Sequence, residues 1–296
     1  MPSNLHPTAE MRNIHYLQRY VKNFAESVQQ FQVLSTLPQS DARLTRVPEK
    51  LYVLDSSFNP PTRAHLRICT SALLNDQPTV TPKRLLLLLA TQNADKAPKP
   101  ASFAQRLAMM EIFAHELLHT VSPGLDKGEV VVDVGVTKNA RFIDKLEALE
   151  NWWNYTIKDL DGKRRPVEQV HLTGFDTLIR LLDIKYYPPE HSLKPLDGLF
   201  AKHRLRVTKR TDDVWGGREA QEEYLNTLSE GEREYEGGKR EWADRIELVD
   251  GRKEGEEIIS STKVREATKA KDQRALDKLV TNGVAKWIMD EKLYLE

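Results

Sequence analysis

The sequence predicts an α/β fold in which a parallel sheet of about five or six strands alternates with crossover helices. Short apolar runs alternate along the chain with segments of helical periodicity, which is the pattern of strands joined by helices. The run RLLLLLA at 84–90 has no polar alternation, as expected of a central strand covered on both faces. The chain has 296 residues, which is enough for one large core or two smaller ones.

The N-terminal segment carries apolar residues at spacings of three and four, which predicts an appended helix, with a coiled-coil seam as the alternative. These residues are Ile14, Leu17, Val21, Phe24, Val28 and Phe31. Apolar runs predict strands at 51–54, 84–90, 130–136, 167–172, 203–209 and 245–250. Periodicity predicts helices at 64–74, 103–119, 142–157 and 176–184, and short helices in the C-terminal segment 260–295. We expect an N-terminal helix and linker at 1–46 that pack on one domain at 47–296, with a charged insertion at 212–243.

The composition argues against several classes of protein. Lys plus Arg equals Asp plus Glu at 44 each, so no overall charge selects for nucleic acid or an anionic membrane. The longest apolar run, 85–90, is far shorter than the roughly 18 residues of a membrane span, and the N-terminus lacks the apolar stretch of a signal peptide. The single cysteine, Cys69, lies among apolar residues, excludes an internal disulfide and fits a reducing compartment. We therefore expect a cytoplasmic or nuclear protein without nucleic-acid or membrane partners, and no pattern indicates an oligomeric state.

The stretch SSFNPPTRAH at 56–65 lies between the first predicted strand of the sheet and the next helix. Parallel sheets bind ligands beyond the carboxyl ends of their strands, where a helix N-terminus offers free N–H groups. Pro60 and Pro61 keep the backbone extended and remove two N–H groups, so the helix begins at about Thr62. His65 then lies in the first helical turn and can donate a hydrogen bond to a phosphate. The alternative is a capped helix whose histidine is merely exposed.

A second candidate anion site lies near the C-terminus, in EEIISSTKVREATKA. Ser260, Ser261 and Thr262 stand at a predicted helix start, and Lys263 and Arg265 follow in its first turns. Hydroxyls, free N–H groups and cations together suit a phosphate, although an ordinary capped surface helix has the same features. The chain has no Walker A loop and no GxGxxG, so neither of those nucleotide motifs is present.

The two stretches together resemble a known family. SSFNPPTRAH is similar to the (G/S)xFNPxTxxH signature, and ISSTKVRE to the ISSTxxR signature, of the nicotinamide mononucleotide adenylyltransferases in the HxGH nucleotidyltransferase superfamily. The long charged insertion and the added N-terminal segment are most similar to the divergent fungal-type branch. The resemblance covers about 51–296 and implies that the domain at 47–296 is a nucleotidyltransferase domain of Rossmann-like fold.

The resemblance implies ATP-dependent transfer of an adenylyl group to nicotinamide mononucleotide, giving NAD and pyrophosphate. The phosphate that attacks is already an anion, so catalysis would consist of positioning and charge neutralisation. Mg²⁺ would arrive with ATP, and no residue is assigned as a metal ligand. The alternatives are a nucleotide-binding or ATP-hydrolysing relative that has lost adenylyl transfer, and a transferase that uses another phosphate acceptor.

The resemblance also implies the roles of individual residues, among which His65 and Arg265 would be catalytic. The residues expected to bind ATP are Ser57, Phe58, His65, Lys96, Ser261, Thr262, Lys263 and Arg265, with Lys99 as a second choice to Lys96. The residues expected to bind the mononucleotide or NAD are Ser56, Ser57, Phe142, Gly174, Asp176, Lys209 and Arg210. Gly174 and Asp176 match the family's GxD turn, and HRLRVTKR matches the strand that delivers a basic residue towards phosphate.

Three positions depart from the family pattern. Ser56 stands where most members have a glycine, and Glu257 stands where an asparagine often faces the nucleotide. Members stack a tryptophan on the nicotinamide ring, whereas the loop VTKNARFID offers only Phe142. A core phenylalanine is the alternative interpretation of Phe142. At Ser56 we expect the turn either to tolerate the side chain or to shift slightly, and we expect either a looser choice of mononucleotide or weaker activity.

A competing signal is HExxH at His115–His119, the pattern of zinc proteases. On a helix, two histidines four residues apart can share a zinc ion, and the glutamate can act as a base. The sequence offers no obvious third ligand downstream, and the apolar residues of the same helix fit a crossover packed on the sheet. The adenylyltransferase interpretation, which explains two distant motifs, is therefore favoured.

Overall fold

The chain is described here by a computed structural model that covers residues 13–38, 48–75, 83–91, 100–125, 130–156, 166–210, 216–251 and 256–295. Within these ranges a seven-stranded sheet lies between two layers of helices. The α/β fold predicted from the alternation of apolar runs and helical segments is confirmed.

The strands are β1 (Phe31–Leu37), β2 (Lys50–Asp55), β3 (Lys83–Ala90), β4 (Val130–Thr137), β5 (Glu168–Gly174), β6 (Arg204–Thr208) and β7 (Ile246–Val249). Their order in the sheet is β1-β4-β3-β2-β5-β6-β7, and every neighbouring pair is parallel except β1 and β4. Strands β2 to β7 are the six strands predicted from the apolar runs. The most apolar of them, β3, is buried along its whole length near the middle of the sheet.

The helices are α1 (Ile14–Glu26), α2 (Arg63–Asn75), α3 (Phe103–Val121), α4 (Phe142–Thr156), α5 (Phe175–Leu181), α6 (Asp197–Lys202), α7 (Arg218–Ser229), α8 (Ser261–Lys269), α9 (Gln273–Leu279) and α10 (Asn282–Asp290). Helices α2 to α5 lie where the periodicity predicts them, and α8, α9 and α10 are the short C-terminal helices. In the ranges described, none of the helices combines the length and apolar character needed to cross a membrane.

The N-terminal helix is shorter than the sequence predicts. The apolar stripe extends to Phe31, but α1 ends at Glu26, where Ser27 adopts an extended conformation and its N–H bonds back to the last turn. Val28 is 95% exposed, and Phe31 instead begins β1, which pairs antiparallel with β4. The apolar spacing thus continues by coincidence across a helix end and into an edge strand.

The sheet separates two apolar layers, and the side chains of β2 show which residue faces which layer. Tyr52 and Leu54 pack with Cys69 and other residues of α2, whereas Leu51 and Val53 pack with residues of α4. Because successive side chains of a strand point to opposite faces, the last residue of β2, Asp55, faces the α4 side.

Candidate functional site

A pocket of about 360 Å³ opens at the carboxyl ends of β2, β5 and β6. Its walls come mainly from these strand ends and from the N-terminal parts of α2, α4, α5 and α8. This is the edge of a parallel sheet at which ligands bind, since the strand ends and the helix N-termini meet there.

His65 lies in the first turn of α2 and is oriented by Thr62. The Thr62 N–H donates to Nδ1 of His65 at 3.0 Å, and the Thr62 hydroxyl lies 2.8 Å from the same atom. Because Nδ1 accepts this backbone hydrogen bond, the proton of the neutral ring is on Nε2, which is 3.0 Å from the Ser56 hydroxyl. Desolvation lowers the pKa of His65 to about 4. At neutral pH His65 is therefore an uncharged donor whose N–H points at the pocket wall.

The loop before α2 has a fixed backbone. Phe58 has a φ of 43° and a fully buried side chain, so only its backbone is left for a ligand. The buried Asn59 accepts a hydrogen bond from the Tyr294 hydroxyl at 2.9 Å, and the Asn59–Pro60 peptide is cis. Helix α2 begins at Arg63, as the two prolines predict.

The two motifs singled out in the sequence are in direct contact. The Ser261 hydroxyl donates to the carbonyl of Pro60 at 2.8 Å. Arg265 donates through Nη1 to the carbonyl of Asn59, also at 2.8 Å. Two segments separated by about two thirds of the chain thus form one wall, with the first turns of α2 and α8 side by side.

The first turn of α8 is capped and carries cations. Ser260 accepts a hydrogen bond from the Lys263 N–H at 3.2 Å, which makes it the N-cap. Arg265 also donates to the hydroxyl of Thr262 at 3.0 Å, and the Lys263 ammonium lies 3.5 Å from the exposed carboxylate of Glu257. Hydroxyl groups, free N–H groups and positive charge therefore occur together at this helix end, as anion binding requires.

On the opposite wall, Asp176 and Arg210 form an ion pair. Arg210 donates through Nε and Nη2 to Oδ1 of Asp176, at 3.1 and 2.8 Å. A Cβ atom at Gly174 would lie 2.6 Å from that oxygen, so the glycine leaves room for the pair. The GxD turn predicted from the sequence therefore places its carboxylate at the pocket.

The predicted basic residue Lys209 is already paired, and the charged insertion supplies one of its partners. Its ammonium lies 2.6 Å from Glu222 of α7 and 3.1 Å from Asp250. The hydrogen bond with Glu222 is the main cause that raises the pKa of Lys209. The fully buried Gln221 accepts a hydrogen bond from the Arg210 N–H at 2.9 Å. Helix α7 thus holds the end of β6 in place.

On the α4 side of the pocket, the predicted residue Phe142 lies near residues that the sequence did not single out. Phe142, the first residue of α4, lies with its ring centroid 4.7 Å from that of His171. One turn later, the Lys145 ammonium bonds to Oδ2 of Asp55 at 2.5 Å. The buried hydroxyl of Thr173 has no hydrogen-bond partner in the parts of the chain described. Asp55 and Thr173 directly follow the strands predicted at 51–54 and 167–172 and precede two recognised motifs, and this position was the signal that could have identified them.

The pocket lining includes eight of the predicted site residues: Ser56, His65, Phe142, Gly174, Asp176, Lys209, Arg210 and Ser261. The predicted residues outside the lining are Ser57, Phe58, Thr262, Lys263 and Arg265. Lys96 and Lys99 lie outside the described residues. Glu257, a departure from the family pattern, lines the pocket. The side chain of Ser56 is a partner of His65, so the position that departs from glycine takes part in the site.

The HExxH residues lie on α3, and the glutamate has another role. Oε1 of Glu116 accepts a hydrogen bond from the Gly283 N–H at 2.7 Å, at the start of α10. A Cβ atom at Gly283 would lie 3.1 Å from the same carboxyl group. No group of three His, Cys, Asp or Glu side chains that could hold a metal ion occurs in the described ranges.

Comparison with known proteins finds a similar curated protein and similar solved structures. The chain is 32% identical over 268 residues to a Schizosaccharomyces pombe protein described as "Putative nicotinamide mononucleotide adenylyltransferase", covering 88% of this chain and 90% of that protein. It is similar to the solved Plasmodium falciparum nicotinic acid mononucleotide adenylyltransferase complexed with NaAD, with a TM-score of 0.50, 13% identity and coverage of 83% of this chain and 98% of that one. The same enzyme complexed with APC gives a TM-score of 0.51 at 12% identity, with the same coverage. These two structures show a shared fold. No family model matches the chain.

Proposed function

The chain belongs to the nicotinamide mononucleotide adenylyltransferase family, and we propose that it transfers the adenylyl group of ATP to nicotinamide mononucleotide, giving NAD and pyrophosphate. The observation that carries the proposal is the contact between the loop before α2 and the first turn of α8. Ser261 and Arg265 bond to the carbonyls of Pro60 and Asn59, so the N-termini of two helices lie close together, and a helix N-terminus favours a bound anion.

The chemistry needs donors and cations more than it needs a base. An oxygen of the mononucleotide phosphate forms a bond to the α-phosphorus of ATP, and the bond from that phosphorus to the oxygen shared with the β-phosphate breaks, so that this oxygen leaves with pyrophosphate. The attacking oxygen is already ionised at neutral pH. His65 would donate from Nε2 to an α-phosphate oxygen and replace its contact with Ser56, while Arg265 and the N-terminus of α8 would hold the departing phosphates.

Asp176 and Arg210 would hold the nucleoside part. A carboxylate that already accepts two bonds from one guanidinium has a fixed orientation and a further oxygen with which to accept a ribose hydroxyl. Lys209 would reach phosphate only by giving up Glu222 or Asp250, because both carboxylates lie within 3.1 Å of its ammonium.

Magnesium would enter with ATP. Each carboxylate in the pocket lining has a cationic partner within 3.5 Å: Lys145 for Asp55, Arg210 for Asp176 and Lys263 for Glu257. These pairs suit a Mg²⁺ ion bound by phosphate oxygens and water, which is how this ion commonly binds with nucleotides. When bound, it would neutralise charge on the phosphates.

The test is incubation of the purified chain with ATP, Mg²⁺ and nicotinamide mononucleotide, followed by chromatography of the products. We expect NAD and pyrophosphate in equal amounts, and neither product without the mononucleotide. Release of ADP and inorganic phosphate in place of these products would indicate an ATP-hydrolysing relative. Nucleotide binding measured by calorimetry without any product would contradict the proposed transfer.

A further inference from the structure

Asp55 and Thr173 lie side by side at one end of the pocket. Val53 of β2 pairs with His171 of β5. In the same register Asp55 lies opposite Thr173, two residues further along each strand. Both residues line the pocket, and both project to the α4 side of the sheet, where Phe142 forms the adjoining wall. His65 lies on the other side, on α2.

A ligand in this part of the pocket meets a carboxylate. Asp55 lines the pocket, whereas its partner Lys145 does not, and the Lys145 side chain is only 10% exposed. Lys145 bonds to Oδ2 of Asp55 from behind. The ammonium therefore fixes the orientation of the carboxylate and leaves Oδ1 as an acceptor towards the pocket.

The Thr173 hydroxyl lacks a partner where one is expected. It is buried, it belongs to a residue that lines the pocket, and it has no hydrogen-bond partner in the ranges that the structure describes. Buried hydroxyl groups are nearly always hydrogen-bonded, because an unpaired one costs about 1–3 kcal/mol. An unpaired hydroxyl beside an oriented carboxylate indicates that a ligand group with both a donor and an acceptor binds between them.

We propose that Asp55 and Thr173 bind the carboxamide of the mononucleotide and thereby select the amide over the acid form. The amide N–H donates to Oδ1 of Asp55, and the Thr173 hydroxyl donates to the amide carbonyl. A nicotinate carboxylate has no hydrogen to donate and brings a second negative charge next to Asp55. This inference rests on the proposed function. With the phosphate at His65, the pyridine ring extends to the α4 side and lies beside Phe142.

The first test compares the amide and acid mononucleotides as substrates of the unmodified protein. We expect kcat/KM for the amide to be at least about tenfold higher, since like charges in contact cost several kcal/mol. Equal values, or a preference for the acid, would overturn the inference and leave the proposed adenylyl transfer intact.

The second test uses two variants whose effects differ. Asp55→Asn removes the charge and keeps the shape of the side chain. We therefore expect the ratio of kcat/KM for the amide to kcat/KM for the acid to fall at least about tenfold, mainly because kcat/KM for the acid rises. Thr173→Val removes a bond that both forms can accept, so we expect kcat/KM to fall for both by similar factors. An unchanged preference in Asp55→Asn would contradict the inference.

Glu150→Gln is the matched control. Its side chain is 24% exposed, as is that of Asp55, and it is paired with Lys202, but it lies outside the pocket lining. We expect Glu150→Gln to have the same ratio of kcat/KM for the amide and acid mononucleotides as the unmodified protein. If Asp55→Asn does not fold, the substrate comparison and Thr173→Val decide the matter.

If the unmodified protein adenylates neither mononucleotide, the proposed function fails, and binding decides this inference separately. Calorimetry should then show NAD binding at least about tenfold more tightly than its acid analogue, with the difference reduced in Asp55→Asn. Equal affinities for the two dinucleotides would overturn the role of Asp55.

Discussion

His65 is prepared to donate a hydrogen bond rather than to carry a charge. The Thr62 N–H occupies Nδ1, and desolvation lowers the pKa of the ring to about 4, so the imidazole stays neutral at physiological pH with its proton on Nε2. A fixed neutral donor stabilises charge that develops on a phosphate oxygen without attracting the negative substrate too strongly in the ground state.

Replacement of His65 should therefore reduce turnover more than binding. For His65→Ala we expect kcat to fall about 100-fold or more, as when a single oriented donor is removed from an active site, while the Kd for ATP changes only several-fold. Steady-state kinetics and calorimetry measure the two quantities. The exposed His119 on α3 provides the control, since His119→Ala should change neither. Equal losses in kcat and ATP affinity would mean that His65 only binds.

The buried histidines should also make the fold sensitive to acid. Desolvation lowers the pKa of His171 to about 3, far below the value of about 6.5 in an unfolded chain. Below pH 6.5 the unfolded chain binds a proton that the folded chain does not, so this stability is complete above pH 6.5 and decreases as the pH falls towards 3. Urea unfolding at pH 7 and pH 5 should show that the free energy of unfolding decreases less between these pH values in His171→Gln than in the unmodified protein. An equal decrease in the free energy of unfolding in both proteins would contradict the lowered pKa of His171.

Site residues could be predicted from the sequence where a short local motif marks them. They could not be predicted where their position depends on contacts between segments that are far apart in the chain. The positions of His65 and Ser261 follow from two helix starts that are recognisable within a few residues of sequence. The alignment of Asp55 with Thr173 depends on the register of two strands that are far apart in the chain. The pairing of Lys209 with Glu222 likewise depends on where α7 packs, which the charge pattern of the insertion does not specify.

At the level of elements, α1 and β1 cover a buried carboxylate on α3. Glu111 is 5% exposed, and burial raises its pKa to about 7, with the hydroxyl of Ser35 on β1 opposing the rise. The Tyr20 hydroxyl of α1 is also buried and has no hydrogen-bond partner among the residues described. The packing of α1 and β1 over α3 therefore favours the neutral form of the Glu111 carboxyl group.

Glu111→Gln should stabilise the protein in mild alkali. Because the folded pKa lies above the unfolded value, the stability linked to this group is complete below about pH 4.5 and is lost as the pH rises through 7. Gln cannot ionise, so we expect the variant to exceed the unmodified protein by about 1–3 kcal/mol at pH 8, and by much less at pH 5. Thermal unfolding at both values measures the difference. A difference that does not grow with pH would show that Glu111 titrates normally.

The elements themselves were predictable except at the N-terminal edge. Apolar runs of four to eight residues identify β2 to β7, because the strands of a parallel sheet are rich in apolar residues. Strand β1 was missed because Phe31 continues the helical spacing of α1, and because its pairing with β4 is a long-range contact that no local pattern encodes. Only Ser27 and the exposed Val28 mark the place where the helix ends.

At the level of the whole molecule, the C-terminus supports the loop before α2. The hydroxyl of the buried Tyr294 donates to the side-chain oxygen of Asn59. The backbone carbonyl of Asn59 accepts a hydrogen bond from Arg265. The helices at the end of the chain therefore hold the loop from which His65 projects.

Tyr294→Phe tests this support with the loss of a single oxygen atom. We expect a decrease of about 1 kcal/mol in the free energy of unfolding, together with a decrease in kcat/KM as the loop loosens. Tyr235→Phe, at a side chain that is 85% exposed, is the control and should change neither quantity. A loss of stability with unaltered kcat/KM would show that the loop keeps its position without this bond.

The contact between residues 59 and 294 spans 235 positions, and this separation has a consequence for synthesis. A ribosome releases the loop before α2 long before it makes α8 or Tyr294, so a growing chain can pair the strands from β2 to β6 while the part of the pocket wall that α8 supplies is still missing. The nascent chain would therefore complete this wall of the pocket only after Tyr294 has been made. Contacts of such long range also slow folding, which makes closure of this wall a natural final step.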